Sequence, residues 1–474
     1  MNIFLSKSDL ISYFNSIAAS RDWWRKRNRY YQTELEDFYR FNIPRKSSVL
    51  EIGCGTGELL HSLDPVNGAG IDFSEAMISM SQKKFPNLQF QVDDIEDLKL
   101  RQRFDFIVMQ DLIGHLSDVW VAFRNLRNVS TPETRIILNY YNQLWEPAII
   151  LLEVLGLKVK QPHQNWLSLA DIENILYLNG YEIIKKGSRF LFPMYIPIIS
   201  TLINKYIAKL PVIKKLCLVQ YIIAKEVASP APAKQYSCSV IIPAKNEAGN
   251  VFAAVERTPE LGKGTEIVFV VGKSTDDTNE KIREAIKRFP NKNIKCIAQG
   301  NGTGKGDAVR KGFEAATGDI LMILDADLTV PPEDLPKFYL AIAENKGEFI
   351  NGTRLVYPMQ KEAMRPLNIL GNKAFSLIFT WILEQRIKDT LCGTKVLLKK
   401  DYVKIQEGRN FFGDFDPFGD FDLLFGAAKQ NLKIVELPVR YMERTYGSTK
   451  ISRFRHGFLL LRMSILAFVK FKLH

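Results

Sequence analysis

Val49-Leu-Glu-Ile-Gly-Cys-Gly-Thr-Gly57 decides the reading of the N-terminal half. A short apolar strand runs into three glycines at alternate positions. Gly53, Gly55 and Gly57 let the backbone turn sharply and let a ligand approach it closely. The next strand, Gly70-Ile-Asp72, ends in a carboxylate fifteen residues after Gly57. A carboxylate there can accept hydrogen bonds from both ribose hydroxyls of a nucleoside cofactor. A third strand end supplies Asp94 and Ile95, suited to an adenine edge and face. A glycine turn alone is weak; a turn with an acid at each of the next two strand tips is specific.

Outward from this stretch, short apolar runs alternate with amphipathic ones. That pattern predicts α/β architecture with mostly parallel sheets. Strands are expected near 49–52, 70–72, 88–92, 104–109 and 135–140, with weaker ones at 181–184 and 216–224. Beyond residue 236 they are expected near 237–242, 266–271, 294–298, 320–324, 349–352, 395–398 and 434–438. Ala228-Ser-Pro-Ala-Pro-Ala-Lys-Gln235 reads as a linker. The expected organisation is a domain over 1–227, a linker over 228–236 and a second domain over 237–474. The 474 residues are 46% hydrophobic and 24% charged, which excludes a disordered chain. Five scattered cysteines fit a reducing compartment and argue against a Cys-rich zinc site. The net charge of +12 favours anionic partners without choosing among them.

The second half is read from Gly318-Asp-Ile-Leu-Met-Ile-Leu-Asp-Ala-Asp327. Two carboxylates at one strand tip repel unless something offsets their charge. A hard divalent cation bridging a diphosphate does so. Upstream, Ser237-Cys-Ser-Val-Ile-Ile-Pro-Ala-Lys-Asn-Glu247 puts Glu247 at a sheet's carboxyl edge, where open α/β sheets bind ligands. Gly304-Lys-Gly-Asp-Ala-Val-Arg310 fails the P-loop pattern. Gln299 stands where its first glycine belongs and Gly306 where its Ser/Thr belongs, which excludes that class of NTPase.

The first region resembles class I S-adenosylmethionine-dependent methyltransferases over about residues 20–227. The matching residues are Glu51-Ile-Gly-Cys-Gly-Thr-Gly57, Gly70-Ile-Asp72, Asp94-Ile-Glu-Asp-Leu98 and Phe104-Asp-Phe-Ile-Val108 with Gln110-Asp111. The resemblance implies a Rossmann-like sheet binding S-adenosylmethionine. Glu51 and the glycines would face the methionine part, Asp72 the ribose, and Asp94 and Ile95 the adenine. Gln110 would sit at the fourth strand tip. His115 stands where many relatives place a residue near the methyl acceptor; its readings are general base or structural histidine. Trp23-Trp24-Arg25-Lys26-Arg27 with Tyr30-Tyr31 reads as a cofactor lid or as a solvated basic helix face.

Residues 237 to about 455 resemble family 2 glycosyltransferases of the GT-A type, within them the dolichyl- or polyprenyl-phosphate sugar synthases. The match includes Gly352-Thr-Arg354, Arg365 with Asn372, Asp389-Thr-Leu-Cys-Gly-Thr-Lys395 and Glu443-Arg-Thr-Tyr-Gly-Ser-Thr-Lys450. It implies a nucleotide-diphospho-sugar donor held by Pro243, Ala244, Glu247, Asp276, Lys305 and Asp325. It implies Mg²⁺ or Mn²⁺ on Asp325 and Asp327, and phosphates on Arg354, Arg365, Arg444 and Lys450. Val271 and Gly272 stand where the family usually carries two adjacent aspartates, and Thr329 where the synthases often carry Gln. Asp420 or Asp422 is the candidate base for a hydroxyl acceptor; helix capping is the alternative for Asp420.

Two apolar stretches, Phe190–Ile223 and Phe458–Phe471, are interrupted by basic residues and fall short of a spanning helix. Burial is expected for the first, with a membrane interface, its lysines at the headgroups, as the alternative. The second, like Leu367–Leu383, reads equally as packed or as lying in a membrane interface. The expected protein is therefore cytoplasmic and peripheral on the inner membrane face, an enzyme that transfers sugar to polyprenyl phosphate or another glycan acceptor and methylates a further acceptor. The rival readings are a hydroxyl acceptor and an N-terminal module that binds cofactor without methylating. No nucleic-acid reading module is recognisable, so nucleic acid is not expected as a partner.

Overall fold

The computed structural model describes residues 7–162, 164–227, 234–302, 304–354, 366–411, 420–439, 441–442, 444, 446 and 453–473. The chain divides into two compact units, Met1–Ala228 with Lys472–His474, and Ser229–Phe471. Among the described residues each unit carries one seven-stranded sheet.

The first sheet contains β1 (Ser48–Ile52), β2 (Asn67–Asp72), β3 (Gln89–Val92), β4 (Phe106–Gln110), β5 (Arg135–Tyr141), β6 (Tyr181–Arg189) and β7 (Val219–Glu226). Their order is β3-β2-β1-β4-β5-β7-β6. β1 to β5 are parallel, with Glu51 beside Gly70 and Val108; β7 runs antiparallel to β5 and β6. Strands covered on both faces must be apolar throughout. Leu50, Ile107, Ile136 and Leu138 pack on one face with Phe123 and Leu176. Val49, Val108 and Ile137 pack on the other with Phe38, Tyr39 and Leu60. β6 extends past its expected end because pairing with β7 resumes after an irregularity and continues from Lys185 to Arg189.

Helix starts follow from local sequence. Ser74 caps Glu75–Lys84, Asp118 caps Val119–Asn125, and Ser168 with Asp171 forms a reciprocal capping box on Leu169–Leu178. The chain fills one side of β1 with β2 and β3, then crosses to β4 on the other. The crevice outside the carboxyl ends of β1 and β4 is therefore a topological switch point.

The second sheet contains β8 (Cys238–Ala244), β9 (Thr265–Val271), β10 (Asn293–Ala298), β11 (Ile320–Ile323), β12 (Phe349–Thr353), β13 (Lys395–Leu398) and β14 (Ile434–Pro438). Their order is β10-β9-β8-β11-β13-β12-β14, with β13 antiparallel to β11 and β12. The order reverses between β8 and β11, which pair in parallel with Ile241 beside Ile323. That makes a second switch point, and the tips of these two strands carry Glu247 and Asp325.

The expectation of burial for Phe190–Ile223 is corrected. Its end enters β7 and is buried, but Met194, Tyr195, Ile198, Leu202, Leu210 and Val212 are exposed. Between β6 and β7 the segment buries only one side, with Ser200, Asn204 and Ala208 inward. The helix Arg453–Lys472 divides similarly. Leu460, Met463 and Ala467 enter the core, while Phe458, Leu461, Ile465 and Val469 face outward. No helix of the described residues is long and apolar enough to cross a membrane.

A Cβ on Gly70 would lie 2.6 Å from the Phe90 ring and 2.9 Å from the Cys54 sulfur. Gly70→Ala is expected to lower stability by about 1–3 kcal/mol, measured by urea denaturation. A wild-type midpoint would contradict this packing.

Candidate functional sites

At the first switch point a cleft enclosing about 1080 Å³, part of it open to solvent, is lined by Gly53, Gly55, Asp72, Asp94, Ile95 and Gln110. It is also lined by Asp111, His115, Gln161 and, from the N-terminal helices, Lys7, Phe14 and Arg21. Gly53, Gly55 and Gly57 all have positive φ, at 72°, 51° and 85°. Asp72 is fixed by two backbone amides, Gly55 N at 2.9 Å and Ser74 N at 2.9 Å. Burial pushes its carboxyl up, opposed by those two N–H groups. The glycine turn and the acid thus hold each other. Asp93 is spent on its own turn, accepting from Asp94, Lys99 and Leu100 amides. Asp94 is left facing the cleft with Lys7 bonded to its carboxylate. Gln110 donates to Gln32 at 3.2 Å.

Two expected residues sit elsewhere. Gly57 is not in the lining; a Cβ there would meet Phe90 at 2.7 Å. Glu51 points beneath the cleft, accepting from Leu60 N at 2.9 Å. Burial pushes its carboxyl up to about 8. Trp23 is exposed, and the Arg21–Arg27 helix buries none of its residues. The cleft is covered by Lys7, Leu10, Phe14 and Arg21 rather than by the tryptophans.

Asp111 was quoted in the sequence without a role. Its backbone has φ 50°, and its carboxylate accepts from Tyr31 at 3.0 Å and Asn139 at 2.6 Å. Burial raises it to about 6. His115 Nε2 lies 3.3 Å from the Gln164 amide nitrogen, and among the described residues its Nδ1 has no partner. Burial, with Lys158 and Arg21 nearby, lowers the imidazole to about 3, so it is neutral at pH 7. Gln161 Oε1 is likewise buried without a partner. Acids at two neighbouring strand tips beside a glycine turn, with unpaired polar atoms in the same wall, fit a nucleoside cofactor.

At the second switch point the loops after β8 and β9 are laced together. Asn246 N donates to Ser274 Oγ (3.1 Å), Glu247 N to Thr278 Oγ1 (2.9 Å) and Ala248 N to Asp276 (3.2 Å). Val271, in place of a carboxylate, is buried in the core. Asp276 is committed to this lacing, and Tyr446 also donates to it at 3.4 Å. Pro243 and Ala244 end β8, just before the lacing begins.

Asp325 pairs with Lys305 at 2.6 Å. Burial pushes its carboxyl up, but Lys305, with Lys395 and Arg354, outweighs this and the net shift is downward. Asp327 accepts from Thr329 Oγ1 at 2.9 Å and from Arg444 at 2.5 Å. Arg444 also lies 3.8 Å from Glu247. Met442 N, donating to the Thr329 carbonyl at 2.8 Å, fixes the strand of chain that delivers Arg444. Gly393 was missed as a site residue. A Cβ there would lie 2.0 Å from the Asp325 carboxylate and 2.5 Å from the Lys305 Nζ, so a larger residue would have to displace that pair. The described residues hold no cluster of three His, Cys, Asp or Glu suited to a metal. Two carboxylates at one tip still fit an ion that takes its remaining ligands from a diphosphate.

Arg354 was expected on a phosphate. Its fork is instead closed on Asp389, at 2.8 and 2.9 Å, and its guanidinium lies over Tyr441. Asn372 and Leu391 N also bond Asp389, and Arg354 overcomes burial to hold the acid down at about 2. Asp422 is buried against Arg409 at 2.9 Å. Asp420 opens the helix Asp420–Lys429. Arg365 and Lys450 lie outside the described residues.

Residues 23–186 match the family model for a methyltransferase domain, and residues 239–404 match that for glycosyl transferase family 2. A dolichol-phosphate mannosyltransferase of Pyrococcus furiosus is 32% identical over 218 residues, covering 45% of this chain and 58% of that protein. An undecaprenyl-phosphate 4-deoxy-4-formamido-L-arabinose transferase of Pectobacterium carotovorum is 37% identical over 138 residues, 28% of this chain and 42% of that protein. The chain thus spans about half the length of these curated relatives. A solved structure of glucosyl-3-phosphoglycerate synthase from Mycobacterium tuberculosis, with Mn²⁺, UDP and glucosyl-3-phosphoglycerate, is 15% identical with a TM-score of 0.38, covering 50% of this chain and 80% of that one.

Glu51 holds its proton more tightly folded than unfolded. Its contribution to stability is present below about pH 4.5 and is lost as pH rises to and through about 8. Glu51→Gln keeps an acceptor for Leu60 N and should flatten that decline in thermal midpoints between about pH 5 and 9. An unchanged pH profile would contradict it. Arg354→Ala leaves Asp389 buried and unpaired, and calorimetry should read a loss of about 3–5 kcal/mol. A guanidinium that served only a ligand would leave the melting temperature unchanged.

Proposed function

Because the chain joins a methyltransferase domain to a family 2 glycosyltransferase domain, we propose that it is a bifunctional enzyme. One unit transfers a sugar with inversion from a nucleotide-diphospho-sugar to polyprenyl phosphate. The other transfers a methyl group from S-adenosylmethionine. The sugar-transfer reading rests on one observation: Glu247, Asp325 and Asp327 meet Lys305 and Arg444 at the switch point of a GT-A-like sheet.

Two phosphorylated molecules must be brought together there. Asp325 and Asp327 would hold Mg²⁺ or Mn²⁺, which when bound offsets charge on the donor diphosphate. Arg444 and Lys305 are cations within reach of the same carboxylates, suited to phosphate oxygens once those arrive. Glu247 keeps Arg444 near the tip. An acceptor phosphate is already ionised at pH 7 and attacks the anomeric carbon without a general base. Asp422 supports this choice over a hydroxyl acceptor, because its carboxylate is already taken by Arg409. Arg354 positions the β12 end through Asp389 rather than touching phosphate.

In the other unit, Asp72 would accept from the ribose hydroxyls, and Asp94 with Ile95 would hold the adenine. S-adenosylmethionine supplies an electrophilic methyl group when bound. His115, neutral and with an unpartnered Nδ1, is suited to hydrogen-bond a ligand in the cleft. The outward face of Phe458, Leu461, Ile465 and Val469 supports peripheral contact with the cytoplasmic side of a membrane.

Purified protein with Mn²⁺, labelled GDP- or UDP-sugars and a short polyprenyl phosphate should move label into the organic phase. Asp327→Ala should lower that rate by about 10²-fold or more, the scale of removing one charge-stabilising group, without changing the melting temperature. Full activity in Asp327→Ala would overturn the assignment. Transfer only to hydroxyl acceptors, lost on Asp422→Ala, would move the reading to polysaccharide or glycolipid synthesis.

A further inference from the structure

The first unit has an apolar surface that its own core leaves uncovered. Two insertions rise from the carboxyl edge of its sheet, the edge that opens onto the cleft. They are residues 142–160 after β5 and residues 190–218 between β6 and β7. They are fastened together there. The Asn142 amide donates to the Lys215 and Cys217 carbonyls at 3.0 and 2.9 Å, and the Trp145 indole donates to the Leu216 carbonyl at 2.8 Å. Leu151, Val154 and Leu155 on one insertion, and Tyr195, Ile198 and Leu202 on the other, are each more than half exposed. Scattered apolar residues need no account, but a set on two joined segments marks an interaction surface.

Charge selects what covers it. Residues 190–218 contain four lysines and no acid. Lys205 and Lys215 are exposed. The two glutamates of the first insertion are matched by Lys158 and Lys160. The Tyr30 ring lies 5.3 Å from that of Tyr195, and its hydroxyl accepts from Asn204 at 3.0 Å. That contact ties the start of the helix Arg29–Asn42 to the second insertion. Aliphatic and aromatic side chains rimmed by lysine fit a bilayer carrying anionic headgroups. A second copy would set like charge against like. The cleft opens at the same place, since Tyr141 and Gln161, which bracket the first insertion, line it.

We propose that these insertions seat the protein on an anionic bilayer, and that the methyl acceptor is a lipid-borne molecule whose nucleophilic group enters the cleft from that surface. The acceptor clause rests on the methyl-transfer reading above. In the step, a lone pair on the acceptor heteroatom forms the new bond to the methyl carbon as the carbon–sulfonium bond breaks. Sulfur keeps that electron pair as the neutral thioether of S-adenosylhomocysteine, and the acceptor's proton leaves to solvent.

The test uses the full chain and co-sedimentation with vesicles of equimolar phosphatidylcholine and phosphatidylglycerol, against phosphatidylcholine alone. Phe458→Glu with Ile465→Glu first removes the contribution of the C-terminal helix. This background should still bind the mixed vesicles. Adding Leu151→Glu with Leu202→Glu should lower partitioning roughly tenfold or more, since two apolar side chains lose their burial. S-adenosylhomocysteine binding should stay intact, which reports the fold. Unchanged partitioning would overturn the docking clause. So would a wild-type dimer in sedimentation that Leu151→Glu with Leu202→Glu dissolves. In the second arm, methyl-labelled S-adenosylmethionine is incubated with protein and a total membrane lipid extract, or with the aqueous extract. Label in the chloroform phase supports the acceptor clause; label confined to aqueous products overturns it. No label in either phase defeats methyl transfer itself and the acceptor clause with it, while the vesicles alone still decide docking.

Discussion

Carboxylates at the tips of parallel strands are the constraint on which both units turn. Each sheet is covered on its two faces, so its polar chemistry is confined to the edge where strands end. Acids placed there are partly desolvated and need compensating charge. In the first unit the compensation is backbone: Gly55 and Ser74 amides hold Asp72, and Gly55 can donate only because its turn has positive φ. In the second it is ionic: Lys305 holds Asp325 and Arg444 holds Asp327. The first device suits neutral ribose hydroxyls. The second keeps cations at the place where a diphosphate would bring its negative charge.

The same constraint explains residues whose roles differ from their sequence reading. A buried guanidinium without a partner is too costly to keep, so Arg354 closes on Asp389. Burial in a core beside Leu60 turns Glu51 away from the cleft. Asp422 lies against Arg409, and Asp276 joins the hydrogen bonds that lace the loops after β8 and β9. These are tertiary pairings between residues as many as 170 positions apart, as for Asp276 and Tyr446. Spacing along the chain carries no signal for them.

Strand positions were legible because buried parallel strands must read as continuous apolar runs, and β1, β4, β8 and β11 do. The weaker pair became β6 and β7, the antiparallel edge, where Lys185, Lys186 and Lys225 break the run. The cleft's acids were legible because each ends a strand. Asp111 and Gly393 were not. Asp111 gains its setting from Tyr31 and Asn139, which come from a helix and a neighbouring strand. Gly393 matters only because Asp325 and Lys305 pass within a Cβ's reach. The exposed segment 190–218 was read as core because its composition is that of a core; composition does not say that only one side of it is buried.

The account's central claim is that one chain holds a nucleoside-cofactor site at one switch point and a nucleotide-diphosphate site at another. Isothermal titration of the same preparation, first with S-adenosylhomocysteine and then with GDP or UDP in Mn²⁺, tests it most directly. The account predicts one equivalent of each, with Asp72→Ala removing only the first and Asp327→Ala only the second. Failure of either ligand to bind, or loss of both on either substitution, would contradict it.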